Sequence, residues 1–207
     1  MHLKDFHDIH THRVDAPHSV LSLRPEQVHA FPGRPFTLQL HPWHLTPHLL
    51  ADFQKRVPDL LSSPFCMGIG ECGLDYLSQT DKELQREAFE CALQIARYHK
   101  LPTIVHCVRA WEDMITTVRK VWGRSGANAA REAGCEIIIH GFVKKKELAL
   151  QLLAEGFSIS IGERFNADAL AVMPDERLYF ETDESELSID EIMETVRKHQ
   201  GSIGKAK

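Results

Sequence analysis

Eight short apolar runs recur along this chain, each bounded by polar or turn residues: Asp5–Thr11, Ser19–Leu23, Phe36–Leu40, Cys66–Gly70, Pro102–His106, Glu136–His140, Phe157–Ile161 and Leu178–Glu181. Runs of this length with such borders read as buried strands. From residue 66 onward, amphipathic helices separate them. Thr80-Asp81-Lys82-Glu83 has the form of a capping box and leads into Leu84, Ala88, Cys91 and Ile95 on one helical face. Ala110–Trp122 repeats the pattern with Trp111, Ile115, Val118 and Trp122. Lys145–Glu155 carries Leu148 and Leu152 and stops at Gly156, a natural C-cap. Ser188, with Glu191 three residues on, opens a last helix bearing Ile192 and Val196. Strand and helix in alternation imply parallel strands, because a crossover of that length returns the chain to the same end of the sheet.

The first 65 residues break this rhythm. The segment between the first two strands is shorter than the dozen or so residues a parallel crossover takes. Pro25, Pro32 and Pro35 leave little room for a full helix before the third strand. The expected fold is therefore an α/β, TIM-type (β/α)8 barrel, trimmed, with helices missing around strand 2, and with that strand antiparallel or irregular. A length of 207 residues fits trimming, since such barrels typically take about 250. No linker or repeat divides the chain, so residues 1–207 are expected to form a single domain.

Other classes drop out on composition. No apolar run approaches the ~20 residues of a membrane span, and Met1-His2-Leu3-Lys4-Asp5 has no apolar signal core. The five cysteines are odd in number and include no CxxC pair, which argues against a disulfide framework or thiolate zinc site. Cys72 and Cys107 read as small buried packers. A net charge of -5 excludes a generic polyanion-binding surface, though bound cations can reverse the sign locally. The expected setting is cytoplasmic, with no membrane association and no protein partner inferable.

The chemistry lies in how histidines and carboxylates fall on the strands. Nine of the 13 histidines lie in the first 48 residues. His10 and His12, two apart at the end of the first strand, point the same way in extended backbone. Glu71 follows the fourth apolar run, His106 ends the fifth, His140 the sixth, and Asp183 comes just after the eighth. One histidine after a strand is ordinarily a capping or solvated residue. Six metal-competent groups at the carboxyl ends of five strands are not, because in a closed barrel those ends converge on the catalytic face. Four imidazoles and two carboxylates without a thiolate suit divalent ions such as Zn or Mn, and Mg also accepts such oxygen donors. Six ligands exceed what one tetrahedral ion takes. Two ions sharing a carboxylate is the economical arrangement, and such a pair activates water for hydrolysis.

These residues resemble the TatD-related metal-dependent hydrolases and deoxyribonucleases. Asp8-Ile9-His10-Thr11-His12 is similar to that family's D-x-H-x-H opening, and Leu40-His41-Pro42-Trp43-His44 to its histidine-proline motif. Gly70-Glu71-Cys72-Gly73-Leu74-Asp75 is close to its G-E-x-G-L-D signature, the most specific match. Gln85, Phe89, Ala96, Pro102–His106, His140 with Phe142, Phe157–Gly162 and Glu181-Thr182-Asp183 continue the pattern in order. The resemblance implies two divalent metal ions (Mg, Mn or Zn), one held by His10, His12 and Asp183, the other by His106 and His140, with Glu71 bridging or between them. It further implies that Asp183, with Glu71, is catalytic and orients or deprotonates the attacking water. His41 would lie near a substrate phosphate, and Asp75 would be a helix-entry or supporting residue.

The chain also departs from the family pattern. Val108 stands where an arginine is common, and Arg109, one residue later, is expected to reach substrate phosphate from the shifted place. Val143-Lys144 replaces a small pair, and Lys144-Lys145-Lys146 reads as a solvated helix start. Glu184-Ser185-Glu186 replaces a small residue and proline, and these acids would repel phosphates. The leading expectation is a two-metal phosphodiesterase with DNA ends as substrate. The alternatives are an amidohydrolase-like enzyme for a small ester, amide or lactone, and a metal-binding protein without catalysis.

Overall fold

The computed structural model describes residues 2–204; Met1, at the head of the segment read above, lies outside them. Strands β1 (Asp8–Thr11), β2 (Ser19–Leu23), β3 (Phe36–Leu40), β4 (Cys66–Asp75), β5 (Thr103–Val108), β6 (Ile137–Ile139), β7 (Ser158–Ile161) and β8 (Leu178–Phe180) stand side by side in sequence order. Every neighbouring pair is parallel. Backbone bonds between β1 and the segment after β8 nearly close the barrel: the Asp183 amide donates to the His10 carbonyl at 3.0 Å, and the His12 amide to the Asp183 carbonyl at 3.0 Å.

Of the expectation of an antiparallel or irregular second strand, the antiparallel half is corrected, since β2 runs parallel to both β1 and β3, while its pairing with β1 is irregular, the register shifting between Asp8 and Thr11. The dozen-residue rule assumes a helix in the crossover and a strand of ordinary length. Here β1 has four residues, so the return path is only about 13 Å, within reach of an extended segment of a few residues. Arg34 fixes that segment by donating to the carbonyls of Val14 and Ala16, each at 2.7 Å. The trimming itself is observed. Only a 3-10 segment, Pro25–Ala30, lies between β2 and β3, and no helix separates β1 from β2.

The other elements follow with adjusted borders. Helix α1 (Pro47–Leu60), not expected from the proline-rich front, starts at Thr46, whose hydroxyl accepts the Leu49 amide at 3.1 Å. Pro47 sits in its first turn, where a missing N–H costs nothing. Helix α2 (Lys82–His99) is capped by Asp81, one residue after the Thr80 expected, and it buries Gln85, Ala88, Phe89, Ala92, Leu93 and Ala96. Of the expected face only Ala88 is fully buried, because the buried stripe is centred on Gln85, Phe89, Ala92 and Ala96 and leaves Leu84, Cys91 and Ile95 at its edge. Helices α3 (Trp111–Trp122), α4 (Ala127–Glu132), α5 (Lys146–Glu155), α6 (Ala167–Leu170) and α7 (Ile189–Gly204) complete the outer layer. Ser188 and Glu191 form the expected capping pair before α7.

Two apolar clusters follow from this layering. Ile9, Val20, Met67, Ile104, Ile138 and Tyr179 fill the barrel with Leu3 beneath, while a larger cluster joins the strands to the helices. Ile104 and Ile138 point inward, so His106 and His140, two residues on, emerge on the same side at the carboxyl end.

Candidate metal centre

Glu71 is the hub. It is buried, and its two carboxylate oxygens face different partners. Oε2 lies 3.4 Å from His10 Nε2 and 3.2 Å from His12 Nε2. Oε1 lies 2.8 Å from His140 Nε2, 3.0 Å from His106 Nδ1 and 3.0 Å from His41 Nε2. Asp183 Oδ1 stands on the first side, 3.8 Å from His10 Nε2 and 3.7 Å from His12 Nε2. The six groups named from sequence as ligands therefore meet at one place, on the face where the carboxyl ends of the strands converge.

Local backbone explains the convergence. Gly70 and Gly73 adopt φ of +133° and +139°, and a Cβ at either would strike the Ile104 or His106 carbonyl of β5. Only glycine lets β4 lie that close to β5 in this conformation. Asp183 is aimed by its backbone bonds to His10 and His12, and its side chain remains partly open to the cleft.

Beyond this cluster, carboxylates face the far nitrogens of His140 and His106. Glu181, fully buried, lies 3.4 Å from His140 Nδ1 and accepts the Gly141 amide at 2.6 Å. Asp75 Oδ2 lies 3.2 Å from His106 Nε2 and accepts the Trp43 indole N–H at 2.6 Å. Gln85 fastens Asp75 by accepting its amide at 2.7 Å and donating to its carbonyl at 3.0 Å. Asp8 accepts the Thr182 hydroxyl at 2.7 Å and its amide at 3.0 Å, tying β1 to the Asp183 segment. The roles of Glu181 and Asp8 were not legible from sequence. The available signal was their spacing, each two residues before a candidate ligand.

Electrostatics follow from burial and partners. Burial alone would push the Glu71 carboxyl up, but His140 and its other histidine bonds hold it well below the usual carboxylate range. Burial would depress His140, yet Glu71 and Glu181 outweigh it and raise its pKa well above the ordinary value. His12 is raised in the same way, against burial, by Glu71 and Asp183. His41 goes the other way, because burial outweighs its bond to Glu71. Its Nδ1 accepts the Trp43 amide at 3.2 Å, so the neutral ring carries its proton on Nε2. That makes His41 Nε2 a donor to Glu71 Oε1 at 3.0 Å and not a lone pair for a metal, although His41 stands with Glu71 and His106 in one potential ligand group.

The donor set fits divalent cations. His10 Nε2 is fully buried, has no hydrogen-bond partner among the described residues, and faces Glu71 and Asp183. Two buried carboxylates converging on His140 call for positive charge at this point. Two of the compact ligand groups, His10–Glu71–His140 and His10–His12–Asp183, share His10.

Not every expected residue arrives. Arg109 is exposed after β5 with φ +52° and does not line the cleft containing Glu71. Lys144, Lys145 and Lys146 are exposed, and the latter two border a separate surface hollow. Cys72 and Cys107 are buried, and burial pushes the Cys107 thiol up to about 12. His2, His7, His18, His29 and His48 are exposed.

A family model described as TatD related DNase matches residues 24–188. The chain belongs to the TatD-related DNase family. The match starts after His10 and His12, so the placement of those two rests on the structure. Among TatD relatives, the 3'-5' ssDNA/RNA exonuclease TatD of Erwinia amylovora is 31% identical over 157 residues, covering 71% of this chain and 56% of that protein. The uncharacterized metal-dependent hydrolase YabD of Bacillus subtilis is 28% identical over 135 residues, covering 61% and 49%. The chain thus spans about half the length of the curated relatives it matches. In fold it is similar to the TatD homologue YJJV of Escherichia coli, with TM-score 0.71 at 16% identity over 94% of this chain and 90% of that one. Among the described residues no helix is long and apolar enough to cross a membrane.

Proposed function

We propose that this TatD-family chain is a two-metal phosphodiesterase that hydrolyses single-stranded DNA from an end. The observation that carries the reading is the division of Glu71, one oxygen toward His10 and His12, the other toward His106 and His140. His10, His12 and Asp183 would hold one ion and His106 and His140 a second, with Glu71 shared. Divalent ions there supply Lewis acidity toward a phosphoryl oxygen and toward the attacking water.

The chain's own groups do the remaining work. Glu181 keeps the His140 proton on Nδ1, and Asp75 keeps the His106 proton on Nε2, so each ring turns its lone pair toward Glu71. Asp183, aimed into the cleft by β1, accepts the proton of the attacking water. His41, whose Nε2–H is given to Glu71 Oε1 in this structure, would turn that N–H to a non-bridging phosphoryl oxygen once divalent ions face the Glu71 carboxylate. The likeness to an exonuclease of ssDNA and RNA in Erwinia amylovora supports the substrate class. Glu184 lining the cleft favours a second reading, an uncharged small ester, amide or lactone, because it would repel a polyanion.

The test is purified protein incubated with end-labelled single-stranded DNA in Mg, Mn or Zn. Stepwise shortening, abolished in His106→Ala, is expected. Intact DNA with all three metals, beside turnover of a small ester that His106→Ala loses, would replace the first reading with the second.

A further inference from the structure

The cleft that contains Glu71 has a volume of about 390 Å3, at the lower end of small-molecule sites, and its walls differ in chemistry on the two sides of the metal centre. On the side of Asp75 and His106 stands Trp43, and Phe31 and Leu23 add apolar lining to the cleft. Beyond Asp183 the surface carries Glu163 and Glu184, answered there by Arg164 alone among the described lining residues. A polyanion is disfavoured on the second side and a flat apolar group is favoured on the first.

Trp43 is unusual within the first wall. Its side chain is 57% exposed, which for an isolated surface hydrophobe would mean little. This indole is nevertheless held fast. Its N–H is bonded to Asp75 Oδ2 at 2.6 Å, and the His41 ring meets it edge-on at 4.9 Å between centroids, the His106 ring at 6.0 Å. The same Asp75 oxygen faces His106 Nε2, so one carboxylate sets both the indole and a metal-site histidine. The outcome is a large π surface open to the cleft, two residues from His41. Its pose is already fixed, so stacking a ring on it loses little side-chain entropy.

We infer that the Trp43 indole is the stacking platform for the nucleobase of the nucleotide whose phosphate lies at the metal centre. This rests on the nucleic-acid reading proposed above, and it assigns the polynucleotide to the Trp43 side of the cleft. Every base has a π face, so the platform gives affinity without sequence preference.

The test separates binding from turnover. Mn-loaded protein is titrated with hexathymidylate made cleavage-resistant by phosphorothioate linkages, and with two such analogues carrying an abasic nucleotide at one or the other terminus, following tryptophan fluorescence. Hexathymidylate should quench the emission, and Trp43→Phe should lose that quenching, which distinguishes Trp43 from Trp111 and Trp122. One abasic analogue should bind roughly 5- to 100-fold more weakly than the intact oligomer, the usual worth of one stacked base. Trp43→Ala should bind intact and abasic oligomers alike, with far-UV circular dichroism and metal content confirming that it folds. Equal affinity of wild-type protein for all three oligomers, or no quenching traceable to Trp43, overturns the inference without recourse to any variant's folding. Quenching and base preference in a protein that hydrolyses no oligonucleotide with any metal would instead overturn the proposed reaction and leave the platform standing.

Discussion

Glu181 is buried behind His140, 3.4 Å from its Nδ1, where a carboxylate favours the tautomer that leaves Nε2 toward Glu71. Its carboxylate is ionised although buried, because burial, which raises its pKa, is outweighed by His140. Replacing it in Glu181→Gln removes the charge and leaves an amide that can offer N–H to Nδ1, allowing the wrong tautomer. Outer-sphere partners of this kind are worth about 10- to 100-fold in metal affinity. That loss is expected for Mn or Zn binding by calorimetry, and an unchanged affinity would remove Glu181 from the site. The contrast with the candidate ligands shows what sequence conveys at this scale. His106 and His140 were legible because each ends an apolar strand, and strand ends converge in a barrel. Asp8 and Glu181 were legible as motif positions but not in their role; their inward direction depends on the closure between β8 and β1, which a linear pattern does not express.

Between elements, the joint of β4 to α2 illustrates how a ligand is kept in place at a distance. Gln85, fully buried on α2, donates to the Asp75 and Thr80 carbonyls at 3.0 Å each and accepts the Asp75 amide. Asp75 in turn holds His106 and Trp43. Truncation in Gln85→Ala leaves these buried groups unpaired, at about 1–3 kcal/mol, which for a chain of this size lowers the melting temperature by roughly 2 to 10 °C. Thermal unfolding measures it, and a shift under 1 °C would mean that water replaces the amide fully. Helix α2 was legible as an element but not in its rotation. Hydrophobicity alone pointed to Leu84, Cys91 and Ile95, whereas the buried face includes a glutamine whose partners come from another element. The parallel direction of β2 was hidden for a related reason. Strand direction depends on how far the return path must reach, and β1 proved too short to need a helix.

Across the whole molecule, the centre couples folding to protons and to metal in opposite senses. His140 and His12 have folded-state pKa values above the ordinary 6.5, because buried carboxylates outweigh burial. A raised pKa adds stability in full below the unfolded value, and this is lost as pH climbs from 6.5 through the folded value. His41, depressed by burial, has the opposite sign, but its change is complete by about pH 6.5. Glu71 and Glu181, held low, add stability above the unfolded carboxylate value of 4.5 and lose it as pH falls. In EDTA the melting temperature should therefore peak in mild acid and decline above pH 6.5, by at most about 1.4 kcal/mol per pH unit for each histidine. Saturating Mn or Zn must displace those same protons, so binding strengthens as pH rises and stability grows as RT ln(1 + [L]/Kd). Between pH 6.5 and 8 the two melting curves should slope in opposite directions and separate steadily. Parallel slopes would mean that the histidines facing Glu71 release no protons on binding, and that the metal is held elsewhere.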